Sequence, residues 1–184
     1  MALKKVLIDT NVYSLAMKGD ADIVGALRKI DRIGFSTISV GELLSGFKGG
    51  NREIKNREEL EIFLDSPRVA VHAIDVETAD FYATILDNLR AAGTPIPTND
   101  IWIAAVTFQH GYQLLSKDRH FQSIPGLVHF QAERFTPSKY TQWRICWVLA
   151  GKRSPPSGHD WAMRGWTGRM CCTIYSIERR SRVS

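Results

Sequence analysis

Apolar positions in the first 130 residues alternate between short runs and helical stripes. Val6-Leu7-Ile8 is a continuous apolar run inside residues 4–9, the pattern of a strand buried on both faces. Behind it Val12, Leu15 and Ala16 share one helical face, with Thr10 or Asn11 as the cap. Ile23, Leu27 and Ile30 predict a second helix opened by Asp20 or Asp22. Residues 33–38 (IGFSTI) predict the next strand. Ser39 and Glu42 then have the spacing of a capping box, for a helix bearing Val40, Leu43, Leu44 and Phe47. Gly49-Gly50 interrupts the chain before a charged amphipathic helix over residues 51–64, with Ile54, Leu60, Phe63 and Leu64 as its stripe.

A third strand is predicted at residues 69–74, followed by the longest helix, from Asp75 through Ala79, Phe81, Ile85, Leu86 and Leu89 to a stop at Gly93. The loop at 94–99 leads to Asp100 and a helix over 101–110 that Gly111 ends. Residues 112–116 predict a fourth strand and 127–130 a fifth. This alternation predicts an α/β fold with a central, mainly parallel sheet of four to five strands between layers of helices. After Phe135 the periodicity lapses. Pro137 and Pro155-Pro156 break the chain, and four of the five tryptophans lie there. Two regions follow: a folded domain over 1–135 and a tail over 136–184, expected to be poorly ordered because its apolar residues have no period.

Composition changes this picture little for the domain and more for the tail. With 44% hydrophobic and 23% charged residues, the chain has the balance of an ordinary globular protein. The apolar run near the N-terminus stops at Asp9, too soon for a signal peptide, and nothing approaches a membrane span, so a cytoplasmic location is expected. Cys146, Cys171 and Cys172 suit neither a disulfide framework nor a zinc site. The net charge of +5 belongs to the tail: residues 136–184 hold nine of the 24 Lys and Arg residues but two of the 19 acids. The tail's character fits an altered reading frame or a read-through of a stop, with a basic RNA-contacting extension as the functional alternative.

The candidate chemistry is acidic. Asp9 ends the first strand and Asp118 follows the fourth. Glu42 and Asp100 sit in the first turns of helices entered from the same side. In an open parallel sheet all four meet at the edge where ligands bind. Four carboxylates repel one another unless a cation lies between them, and hard divalent cations prefer such oxygen ligands. Any one of these acids read alone is as well explained as a helix cap. Their joint placement beside Thr10, Asn11 and Ser116 favours a site.

The segments VLIDTNVY, STISVGELLSG, PTNDIWIAA and LLSKDRHFQSIPGL resemble, in order and spacing over residues 4–130, a PIN-domain ribonuclease of the VapC toxin type. The resemblance implies a PIN-like three-layer α/β/α fold and an Mg²⁺- or Mn²⁺-dependent endoribonuclease. Asp9, Glu42, Asp100 and Asp118 would be its catalytic acids, with Asp9 and Asp100 as the metal ligands and Asp118 at the rim of the site. Thr10, Asn11 and Ser116 would support them. The implied partners are the RNA substrate, a cognate antitoxin and a second copy of the chain, with no membrane. A groove formed by Leu43, Leu44, Phe47 and the helix over 51–64 would receive the antitoxin, although packing into the core explains those residues equally well.

Other residues read less sharply. His120 reads as a cap or packing residue more readily than as a catalytic one, Lys117 and Arg119 as solvated cations more readily than as phosphate contacts, and Trp102 as a packed ring more readily than as a stacking platform. A catalytically silent PIN scaffold that binds protein or RNA is the alternative function. A phosphotransferase with Asp9 as nucleophile, as in haloacid-dehalogenase-like proteins, needs an acid where Asn11 stands, and the chain has no Gly-rich phosphate loop for nucleotide hydrolysis.

Overall fold

Strand β1 (Lys5–Ile8) is the middle of the molecule because its Val6, Leu7 and Ile8 are fully buried and must be covered on both faces. The computed structural model describes residues 4–48 and 50–130. Parallel neighbours flank β1 on both sides: β2 (Arg32–Ser36) pairs Ile8 with Phe35, and β4 (Gln113–Leu115) pairs Ile8 with Leu115. With β3 (Val69–His72) beyond β2, the strand order is β3-β2-β1-β4. The helices are α1 (Thr10–Met17), α2 (Ala21–Arg28), α3 (Thr37–Lys48), α4 (Glu53–Leu64), α5 (Val76–Ala92) and α6 (Thr98–Gln109). The expected α/β class and three layers are therefore present.

Alternation along each strand assigns the layers. Val6, Ile8, Ile33, Phe35 and Leu115 point to one side, where α1, α2 and α4 cover them. Leu7 and Leu114 point to the other, against α5 and α6. On that second side Gly34 lies beneath the ring of Tyr112, where an added Cβ would stand 3.1 Å from the ring carbons. The missing side chain lets Tyr112 lie across the sheet and bring its hydroxyl 3.0 Å from His72 Nε2.

Three boundaries differ from the sequence reading. Strand β2 ends at Ser36, and α3 begins at Thr37 rather than at Ser39. The Ser36 hydroxyl accepts from the Ile38 N–H at 3.1 Å, while Ser39 is buried inside the helix. Glu42 is therefore in the second turn and makes no capping box. Helix α6 starts at Thr98, three residues earlier than read, and Asp100 belongs to its first turn as expected. The fifth strand reduces to a single parallel bridge between Leu114 and His129. In a three-residue strand only the middle residue turns both backbone groups away from β1: Leu114 donates to Val128 O and accepts from Phe130 N, both at 2.8 Å.

Helix α5 matches the sequence reading at both ends, with Asp75 in a reciprocal capping box with Thr78 and Gly93 in the left-handed conformation at the stop. Of the groove residues, Leu43 is buried, and Leu44 and Phe47 pack partly buried against the same core. Ile54 on α4 stays 77% exposed. Trp102 stacks on Tyr82 with ring centroids 4.0 Å apart, the packed reading rather than a free platform. No helix among the described residues is long and apolar enough to cross a membrane. The tail over 136–184, its expected disorder and its three cysteines lie outside the described residues.

Phe63 tests the first layer. It is 1% exposed and meets the rings of Tyr13 and Phe35 edge-on at 5.1 and 5.3 Å. Phe63→Ala empties a site walled by two aromatic rings that cannot collapse inward together, and is expected to cost about 3–5 kcal/mol in a urea unfolding experiment.

Candidate active site

Parallel pairing delivers the site. Because Ile8 is in register with Phe35 and Leu115, the next residues along the three strands, Asp9, Ser36 and Ser116, arrive together at the carboxyl edge. Asp9 is 3% exposed. As the N-cap of α1 it accepts from the Val12 N–H at 2.7 Å, and its other oxygen accepts from the Ser116 hydroxyl. Ser116 in turn accepts from the Asp118 N–H at 2.9 Å. One hydroxyl thus ties the end of β1 to the turn after β4, and so fixes Asp9 relative to Asp118.

Glu42 is held at both oxygens. The Thr10 hydroxyl donates to one, and the Asn99 amide donates to the other at 2.7 Å. Thr10 and Ser116 thus each donate to one of the acids, and Asn99 makes a contact to Glu42 that the sequence reading missed. Asn11 does not fit that role: it is exposed and makes no hydrogen bond to any acid among the described residues.

Asp100 and Asp118 form the tightest part of the cluster. Together with His120 they offer ligand atoms that all lie within 4.8 Å of one another. His120 Nδ1 is 3.1 Å from an oxygen of each acid. Asp118 also caps a 3₁₀ turn over Arg119–Ser123, accepting from the His120 N–H at 3.0 Å. Asp118, read from the sequence as a rim residue, offers its ligand atom alongside those of Asp100 and His120. Asp9 and Glu42 lie outside the trio, because the two oxygens of Asp9 are turned toward Val12 and Ser116. His120 joins the site through a contact that only the fold creates.

The electrostatics carry the mark of crowding. Burial raises the Asp9 carboxyl above its ordinary value, and the charges of Asp100 and Asp118 add to the rise against the lowering by its hydrogen bonds. Asp100 is raised first by burial, then by Asp118 and Glu42, with His120 opposing. Asp9, Asp100 and Asp118 thus lie within electrostatic reach of one another, and Glu42 joins them through Asp100. An all-oxygen set of like charges with one imidazole beside it is a donor set that fits a divalent cation, whose charge would reverse the repulsion.

The PIN domain family model matches residues 6–127 of the chain, a span from the first residue of the β1 apolar run to a point past the 3₁₀ turn. The chain belongs to the PIN-domain family. Among curated proteins it is similar to ribonuclease VapC4 of Mycobacterium tuberculosis, at 28% identity over 69% of this chain and 96% of the relative. It is also similar to the plasmid stability protein StbB of Pseudomonas syringae pv. tomato, at 32% identity over 61% of this chain and 87% of the relative. Among solved structures, VapBC-1 from nontypeable Haemophilus influenzae aligns with a TM-score of 0.62 and 25% identity, over 68% of this chain and 96% of the other. VapBC2 from Rickettsia felis, bound to a DNA fragment from its promoter, gives the same TM-score at 24% identity, over 68% and 97%, and supports the fold. The family match ends at residue 127.

Crowding within this PIN domain has a signed consequence for stability without cations. A carboxyl raised in the folded state stabilises most below its unfolded value of 3.8 and loses that contribution as pH rises through the folded value. Asp100→Asn removes the titration. In chelator, the variant is expected to melt above wild type at neutral pH, with the difference shrinking as pH falls toward 3.8. A difference independent of pH, followed by thermal unfolding monitored by circular dichroism, would contradict the crowding.

Proposed function

We propose that the protein is a metal-dependent endoribonuclease toxin of the VapC type, neutralised by a cognate antitoxin. The observation that carries this reading is the meeting of Asp9, Asp100 and Asp118 at the carboxyl edge of the PIN sheet, with their charges unbalanced by any lysine or arginine bonded to them among the described residues. The kinship with ribonuclease VapC4, with further VapC relatives from Rickettsia felis and Haemophilus influenzae, supports the substrate class. The solved VapBC complexes support the antitoxin.

The residues divide the work. Asp100 and Asp118, joined by Asp9, would hold Mg²⁺ or Mn²⁺. The bound ion supplies Lewis-acid polarisation of a backbone phosphate and acidifies a water molecule. Val12 and Ser116 fix the Asp9 rotamer beside the trio, close enough for its charge to act with those of Asp100 and Asp118. Glu42, locked by Thr10 and Asn99, is set as an acceptor that orients water for in-line attack on phosphorus. No side chain serves as a covalent nucleophile, so attack and departure occur at one phosphate without an enzyme-bound intermediate. The antitoxin would cover the surface carrying Leu44, Phe47 and Ile54 on α3 and α4, where apolar area remains open beside the core.

Cleavage of RNA by purified protein, measured with Mg²⁺ or Mn²⁺, with EDTA, and in the Asp9→Asn variant, tests the reading. Asp9→Asn keeps the size of the side chain and removes one charge from the cluster. It is expected to lower the rate by about 10²–10³-fold, or about 2.7–4 kcal/mol of barrier, while the fold survives. Cleavage that persists in EDTA, or in the variant, would sink the metal mechanism. Wild type that binds antitoxin but never cleaves RNA would identify a silent scaffold.

A further inference from the structure

Beside the acids, an open cleft of about 490 Å³ is lined by Asn11, Ser14, Lys18, Lys117, Asp118 and Arg119. Its character is the opposite of the acidic cluster it adjoins: three cations face one carboxylate. Asp118 belongs to both, so the cleft opens directly onto the trio with Asp100 and His120. The three cations are not equivalent. Lys117 is already bound to Asp20, with Nζ 3.1 Å from a carboxylate oxygen. Lys18 and Arg119 are exposed and make no ion pair among the described residues. Asn11 and Ser14, successive turns of α1 apart from each other by three residues, add an amide and a hydroxyl donor on the same wall.

We propose that this cleft holds an RNA backbone phosphate next to the one being cleaved, with Lys18 and Arg119 as its principal cationic contacts and Asn11 and Ser14 as neutral donors. The inference rests on the ribonuclease reading above and deepens it by naming the residues that would hold a second phosphate of the substrate. A polyanion brought to four acids needs positive charge close by on at least one side, and phosphate is recognised by this mix of lysine, arginine, amide and hydroxyl donors. On the Glu42 side the bonded donors are the neutral Thr10 and Asn99, already committed to the carboxylate. The cleft also gives Asn11 a role: it reaches for substrate instead of supporting an acid.

The test is binding of a short single-stranded RNA to the full chain in EDTA, followed by fluorescence anisotropy across a series of salt concentrations. Each phosphate contact on a single strand contributes about 0.7 to the slope of log affinity against log salt. Lys18→Gln and Arg119→Gln are each expected to weaken binding several-fold and to reduce the slope by about that amount. Lys117→Gln should do less, because Asp20 already neutralises it. Lys5→Gln, at the amino end of β1 and so at the opposite edge of the sheet, controls for net charge and should change neither quantity. Wild-type affinity and slope in both the Lys18 and Arg119 variants would overturn the proposal, as would an equal loss in Lys5→Gln. Because no turnover enters the measurement, a protein that never cleaves RNA can still show the salt signature. An active nuclease with unchanged slopes would remove the cleft alone.

Discussion

Parallel pairing on both sides of β1 is the constraint on which the rest of the molecule depends. A strand with three fully buried residues in succession needs partners on each side and helices on each face, and its two neighbours run in the same direction as itself. Every chain segment that leaves those strands therefore leaves from one edge. Asp9, Ser36 and Ser116 come together there with no further requirement, and α3 and the turn after β4 begin beside them. Any slip of β1 against β4 by one residue would exchange the faces of Leu114 and Leu115 and bury the wrong side of each. The core thus enforces the register, and the register assembles the acids.

The site built this way is electrostatically costly. Asp9 is buried beside Asp100 and Asp118, and its compensation consists of one backbone N–H and one hydroxyl. Neutral donors of this kind fix orientation without cancelling charge. Among the described residues no lysine or arginine is bonded to these acids, and Lys18, Lys117 and Arg119 line the adjoining cleft instead. A protein arranged for stability alone would have put a cation among these acids. On the function proposed above, the uncancelled charge would keep the place for a divalent ion, whose affinity would follow the protonation of Asp9 and Asp100.

What could be read from the sequence was what local patterns control. The apolar run before Asp9, the caps of α5 at Asp75 and Gly93, and the placement of Asp100 in a first turn all depend on residues within one or two turns of one another. The capping box read from Ser39 and Glu42 failed because the start of α3 is set by where β2 stops pairing, and Ser36 is the residue at that point. The fifth strand failed for a related reason, since a three-residue β4 has only Leu114 to offer outward. Asn99 was not legible as a site residue, and His120 read more readily as a cap or packing residue. Asn99 meets Glu42 from 57 positions away, and Lys117 meets Asp20 from 97, separations at which composition and periodicity carry no signal. Asn11 sat in the motif beside Thr10, yet one position along a helix rotates a side chain from the acids to the cleft wall.

Whether the crowded carboxylates form a cation site is the central claim, and calorimetric titration of Mn²⁺ into wild type and Asp100→Asn tests it most directly. The experiment is run in mildly acidic buffers of differing ionisation enthalpy, so that proton release is read together with affinity. The expected result is saturable binding to wild type with release of protons, and weaker binding with less release in the variant. Equal affinity and equal proton release in both proteins, or no binding to wild type, would contradict it.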